Sequence, residues 1–273
     1  MGFSQRRIWE EIFSSEPYRL EELINGNEWV SVKSSPLLPY VIKNINYKNK
    51  ILEAGCGRGQ WVIYLHHRGY QIIGVDFAIS AMRKTKCVYP GINLIGGDVN
   101  QLCFQDNSFD AVMCWSVLDH IESGPLNALK EIYRVTKPDG FLFITVPCQN
   151  LLYLWLKPIL FLKDILRKNR LLRKILRKAD IKKDFFQNEF TVQRFRKYLE
   201  STGFQIKNIH PLGYEAGFIN VTQKILGRYS NLFYKTSQGR WLGLTRLGNL
   251  ICRTLGKFSR LLTPDEIFYL ARK

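Results

Sequence analysis

Apolar and polar positions follow two different periods along the first 150 residues. Short apolar runs, bounded by polar or glycine-bearing turns, begin at Ile51-Leu52 and recur at Gln71–Val75, Ile92–Ile95, Phe109–Cys114 and Phe141–Val146. Runs of that length predict buried β-strands. Between them, Trp61–Leu65 and Leu126–Val135 carry apolar residues at helical spacing, and Thr136–Gly140 reads as a turn. Two further helices are expected upstream, over Arg7–Leu23 with a break at Pro17 and over Leu37–Ile42. Strands alternating with helices predict a parallel sheet covered on both faces, which binds ligands at the C-terminal ends of its strands.

The turn after the first strand carries the most chemistry. It reads Glu53-Ala-Gly-Cys-Gly-Arg-Gly59, with Gly55, Gly57 and Gly59 at alternate positions. Glycines let backbone approach a ligand, and the helix that follows offers unpaired N–H groups. The pyrophosphate-binding fingerprint G-x-G-x-x-G is a different spacing. A glutamate at the strand end would repel a phosphate and attract a cationic ligand bearing an amino group. That points to S-adenosylmethionine (SAM), which carries a sulfonium and an ammonium. The competing structural reading is a close strand–helix packing point. Two more acids stand at strand ends: Asp76, placed to accept hydrogen bonds from ribose hydroxyls, and Asp98.

These residues resemble the class I SAM-dependent methyltransferases, in particular the small-molecule group related to the ubiquinone and menaquinone methyltransferases. The carriers are Glu53–Gly59, Val75-Asp76, Gly97-Asp98-Val99, Ser108–Val112, Leu118-Asp119-His120 and Leu129–Gly140. Phe190-Thr191, Leu199 and Gly203-Phe204 fit the helix and turn before a sixth strand, and Ile267–Lys273 fits a last one. The resemblance implies an α/β fold: a seven-stranded, mostly parallel, doubly wound sheet with helical insertions, its last strand antiparallel between the fifth and sixth. It implies SAM as cofactor. Gly55 and Gly57 would pack on its methionine part and Glu53 would hold its ammonium. Asp76 would take the ribose, Phe77 would lie beside the adenine, Asp98 would meet the adenine amino group and the Val99 backbone the ring nitrogen. Trp115 would line the methyl-transfer mouth.

Length and composition fit that frame. At 273 residues, 46% hydrophobic and 13% aromatic, the chain can bury a substantial core as one large domain or one domain with insertions. The expected parts of a single domain over 1–273 are an N-terminal helical cap (1–44), a SAM-binding core (45–150), a basic amphipathic insertion (151–187), a return helix and sixth strand (188–211), a helical insertion (212–264) and the last strand (265–273). Six scattered cysteines without a CxxC pair support neither a disulfide framework nor a zinc site. No secretory signal is visible at Met1–Trp9, so a cytoplasmic protein is expected.

The net charge of +17 changes the picture. Leu151–Leu162 is intensely apolar but too short to span a bilayer, and Lys157-Pro158 breaks it. Lys163–Lys183 then carries ten Lys/Arg against two Asp, with leucines and isoleucines at near-helical spacing. Such a segment reads as an interfacial helix on an anionic membrane, as a lid with a solvated basic face, or as a footprint for nucleic acid. Trp241–Leu250 and Ile251–Leu262 read as further helical cover.

Methyl transfer needs alignment above all, and at most one base. His120 stands where that base would be or where a residue shapes the pocket. Asp119 and Glu122 read as runners-up for that base or as solvated loop acids, His66, His67 and His210 as structural or exposed, and Tyr18 and Arg19 as conceivable contacts or part of a surface cap. Pro147-Cys148 resembles the Pro-Cys pair of RNA cytosine-5 methyltransferases, but it follows the fifth strand where that family needs it after the fourth. The Asn/Asp-Pro-Pro-Tyr motif of exocyclic-amine methyltransferases is missing. The expected function is therefore methylation, without a metal, of an O or C atom of a small or lipid-linked acceptor at a membrane surface. An RNA methyltransferase and a non-catalytic scaffold of the same fold are the alternatives.

Overall fold

The computed structural model describes residues 8–12, 32–33, 35–158, 187–226, 234–237, 240–259, 261–262 and 264–273. The basic run 163–183, and with it Tyr18 and Arg19, lies outside them. Residues 8–12 are helical. In chain order follow α1 (Leu38–Asn44), β1 (Lys50–Ala54), α2 (Gln60–His66), β2 (Gln71–Asp76), α3 (Ile79–Val88), β3 (Asn93–Gly96), β4 (Phe109–Trp115), a 3₁₀ turn (Leu118–His120), α4 (Leu126–Val135) and β5 (Thr136–Pro147). Residues 151–158 are helical. After them come α5 (Val192–Ser201), β6 (Gln205–Leu212), α6 (Tyr214–Leu226), β7 (Tyr234–Ser237), β8 (Arg240–Leu244), α7 (Arg246–Phe258) and β9 (Glu266–Arg272).

One seven-stranded sheet runs in the order β3-β2-β1-β4-β5-β9-β6. The pairs β1–β2, β1–β4, β2–β3 and β4–β5 are parallel. The last strand enters between the fifth and sixth, as the resemblance implies. Its direction is fixed by two hydrogen bonds, Lys273 N to Gly140 O at 3.0 Å and Cys148 N to Asp265 O at 2.8 Å, which pair ascending residues of β5 with descending residues of β9. The chain proceeds from β1 to β2 on one side and returns to β4 on the other, so the crevice of the sheet opens between the ends of β1 and β4. β1 is buried from Ile51 to Ala54, with Glu53 a charge set among apolar residues. α4 buries Ala128, Leu129, Ile132 and Val135, one stripe at helical spacing.

Two expectations are corrected. Thr136–Gly140 belongs to β5 and is not a separate turn: the ladder to β4 jumps from Phe109↔Thr136 to Ala111↔Phe141. The turn chemistry is locally real, with Asp139 at φ 63°. Pairing on both sides nonetheless keeps the segment in the sheet as an irregular, bulged entry. Arg272 Nε also donates to Asp139 O at 2.9 Å. Second, Trp241–Leu244 is not helical. It lies in β8, antiparallel to β7, with Lys235 opposite Gly243 and Tyr234 opposite Leu244.

The chain divides into two compact units, one of residues 1–146, 193–209 and 269–273, the other of 147–192 and 210–268. In the second, Phe218, Ile219 and Cys252 form a small core against Leu152, Leu244, Ile251 and Leu255. No helix among the described residues is long and apolar enough to cross a membrane.

Candidate active site

The glycine turn is strapped to the neighbouring strand. Gly55 N and Cys56 N donate to Val75 O at 2.7 and 3.0 Å, and Gly59 N donates to Cys56 O at 2.7 Å. Gly55, Gly57 and Gly59 all take positive φ, at 81°, 51° and 70°. At Gly55 the reason is also steric, since a Cβ there would overlap the side chain of Val117, in the loop after β4. The turns after β1 and β4 thus close on each other where the sheet switches direction.

A cavity of about 320 Å³ opens beside this turn. Glu53, Gly55, Gly57, Asp76, Phe77 and Trp115 line it, six of the residues expected to bind cofactor, together with His120. Asp98 and Val99 are placed elsewhere, just past β3. There the Asp98 carboxylate accepts from Asn100 N and Nδ2, both at 2.9 Å. Partial burial pushes that carboxyl up, the Asn100 hydrogen bonds are among the interactions that act against it, and the net position is below its usual range.

Glu53 sits in the central strand, opposite Gly74 on one side and Met113 on the other. It is 3% exposed, and its Oε2 has no hydrogen-bond partner among the described residues. Burial pushes its carboxyl well above the ordinary range, the Asp76 charge adds to that, and a hydrogen bond from the Val62 N–H pulls the other way. Asp76 is held by backbone: Gly57 N and Ala78 N donate to its two oxygens, each at 2.8 Å. Burial raises its carboxyl and those hydrogen bonds only partly offset it. Two buried acids therefore face one cavity, and one carries an unmatched oxygen. A buried carboxylate in that position is costly without a cation. The ammonium of SAM fits Glu53, and a backbone-anchored Asp76 fits a pair of hydroxyls.

Beyond the expected set, Trp9 of the helical residues 8–12 lines the cavity and meets His120 edge-on, ring centroids 4.7 Å apart. Glu10 of the same turn accepts a hydrogen bond from Ser80 Oγ. The resemblance implied an N-terminal helical cap over the cofactor, but not that Trp9 would be the residue that lines the cavity. Trp115 stacks at a tilt on Trp61, centroids 5.2 Å apart, and so forms one wall.

Asp119 overturns its reading as a solvated loop acid. The 3₁₀ turn folds it fully inside, with Oδ2 3.3 Å from His120 Nε2. Burial pushes its carboxyl up to about 7. An unfolded chain releases that proton near pH 3.9, roughly, so the folded state binds it more tightly and stability from this group is lost as pH rises through about 4 to 7. Asp119→Asn should therefore gain on the parent with rising pH, by up to about 4 kcal/mol at pH 8. Urea unfolding at pH 4.5 and 8 measures this, and parallel pH profiles for the two proteins would refute it. Glu122, by contrast, is exposed.

All six cysteines are free, and Cys148 is buried. Burial, with Asp265 and Glu189 nearby, pushes its thiol up to about 12, which leaves almost no thiolate for nucleophilic attack at neutral pH. The Pro147-Cys148 pair is thus unsuited to cytosine-5 chemistry.

Comparison with known proteins agrees with this geometry. Residues 52–144 match the family model described as a methyltransferase domain. A demethylmenaquinone methyltransferase of Staphylococcus saprophyticus is 38% identical over 112 residues, which cover 37% of this chain and 47% of that one. A malonyl-acyl-carrier-protein O-methyltransferase of Erwinia billingiae is 34% identical over 104 residues, 37% of this chain and 41% of the relative. The chain thus spans under half the length of these curated relatives. A SAM-dependent methyltransferase structure from Methanosarcina mazei superposes with a TM-score of 0.55 at 20% identity, covering 86% of this chain and 97% of that one. The fold is that of the class I SAM-dependent methyltransferases. Within it, residues 52–144 are similar to the methyltransferase domain family.

Proposed function

We propose that the chain transfers the methyl group of SAM to an O or C atom of a small or lipid-linked acceptor at a membrane surface. The observation that carries the cofactor half of this reading is Glu53, a buried carboxyl with an unmatched oxygen, aimed into a glycine-walled cavity. The bound cofactor supplies an activated methyl group on a sulfonium. The chain's own residues do the rest. Glu53 would hold the ammonium and the backbone-held Asp76 the ribose hydroxyls, while Trp9, Trp61 and Trp115 line the cavity and would exclude water. Bound there, SAM would supply its methyl carbon to an electron pair of the acceptor. The acceptor's proton leaves to His120 or to water. Alignment supplies most of the acceleration, since the leaving group is already charged.

Similarity supports the acceptor class: the relatives named above are a demethylmenaquinone methyltransferase and a malonyl-acyl-carrier-protein O-methyltransferase. Calorimetric titration of the purified chain with SAM tests the foundation. Saturable binding with a dissociation constant of order micromolar, about −8 kcal/mol, is expected. A flat titration at millimolar SAM would overturn the cofactor assignment and with it the reaction.

A further inference from the structure

The second unit carries a surface that the methyl-transfer site does not use. It holds nineteen lysines and arginines against seven acids, +12 of the chain's +17. α7 runs Arg-Leu-Gly-Asn-Leu-Ile-Cys-Arg-Thr-Leu-Gly-Lys-Phe without an acid. Thr245 caps it, accepting from Gly248 N at 3.1 Å. One side packs inward, with Cys252 in the core and Ile251 and Leu255 against it. The opposite side exposes Arg246, Leu247, Leu250, Arg253, Thr254 and Lys257. At 3.6 residues per turn these six fall within an arc of about 120°, the cations on one flank and the leucines on the other. Leu250 is 66% and Leu247 48% exposed. In the same unit, the helical residues 151–158 present Trp155, 72% exposed, two residues from the exposed Lys157.

Cations alone would serve a phosphate backbone, and leucines alone a protein groove. Leucines beside cations with no acid between them match one partner: a bilayer whose headgroups are anionic and whose boundary accepts apolar side chains. We infer that the outer face of α7 docks on an anionic lipid surface, Leu247 and Leu250 entering the headgroup boundary while Arg246, Arg253 and Lys257 meet lipid phosphates. This places the surface named in the proposed function on particular residues, and it rests on that reading only for its biological purpose.

Co-sedimentation of the full chain with vesicles of phosphatidylglycerol and phosphatidylcholine, against phosphatidylcholine alone, is the test. Binding should require the anionic lipid and weaken with salt. Neutralising the cations (R246Q/R253Q/K257Q) should lower partitioning by about 100-fold, roughly fivefold per charge. L247S/L250S should lower it by about tenfold or more at every salt concentration, because apolar burial is not screened. All substituted positions are exposed, and a SAM titration of each variant checks that the first unit is intact. Wild-type-like partitioning of either variant would overturn the inference. So would RNA binding that needs the cations but ignores the leucines. The two readings fail separately: vesicle binding without SAM binding sinks the reaction and leaves the surface, and the converse sinks the surface alone.

Discussion

Glu53→Ala should remove SAM binding from a protein that still folds. Taking one partner from a buried ion pair costs about 3–5 kcal/mol, which weakens a micromolar site to about 0.2–5 mM. Because alanine also leaves space, Glu53→Gln is the sharper variant. It keeps the shape and the hydrogen-bonding capacity toward Val62 N–H while deleting the charge. Glu53 is held protonated well above the ordinary carboxylate range, mainly by burial. Its raised value means that the ligand-free protein loses stability as pH rises above about 4.3, the usual release point. Glu53→Gln escapes that loss, so ligand-free Glu53→Gln should unfold at the same or higher temperature than the parent near pH 7.5. A residue conserving structure alone would show the opposite, a drop in thermal midpoint.

The same charge links binding to protons. A bound ammonium favours the carboxylate, so the Glu53 proton should leave on binding and SAM affinity should rise with pH. The rise ends where the ammonium itself deprotonates, near pH 8, roughly. Titrations in two buffers of different ionisation enthalpy read that proton directly. Equal apparent enthalpies in both buffers, or affinity in the Gln variant equal to the parent's, would sink the assignment.

The sheet and the two acids at its centre were legible for a physical reason. A parallel sheet buries its strands on both faces, so each appears as a bare apolar run, and Glu53 is conspicuous as a charge where none is otherwise tolerated. α4 was legible because its stripe is regular; its bounds match those of the periodicity. Burial that depends on non-local docking was not. Asp119 sits between Leu118 and His120 in a short loop segment, and one flanking leucine is too little to say that the 3₁₀ turn folds inward. Trp9 is one aromatic in an upstream helix whose seat against His120 is set by tertiary contact. β8 failed for a third reason: a four- or five-residue apolar run carries too few positions to separate period 2 from period 3.6. The start of β5 failed because its Pro-Asp-Gly chemistry does make a left-handed bend, while the pairing that absorbs the bend comes from β4 and, distant in sequence, β9.

Gly55→Ala should be the most damaging single methyl group in the chain. Gly55 sits at φ 81°, where an L side chain costs about 1–2 kcal/mol. The added Cβ also overlaps both methyls of Val117, a cavity-lining side chain on the facing turn. Val117 must move, and the glycine turn, held by the Val75 carbonyl, has little freedom to yield. The combined loss of stability should reach about 3 kcal/mol or more, with SAM binding weakened in parallel. Gly124 separates the two costs. Its φ is 90° and nothing lies within 4 Å of its would-be Cβ, so Gly124→Ala reports the backbone cost alone. The excess of Gly55→Ala over Gly124→Ala measures the collision, and adding Val117→Ala to Gly55→Ala should return that excess and not the rest. Denaturant unfolding of the four proteins decides it. If Gly55→Ala costs no more than Gly124→Ala, or if Val117→Ala returns nothing, the turns after β1 and β4 are not in the contact that closes the end of the crevice.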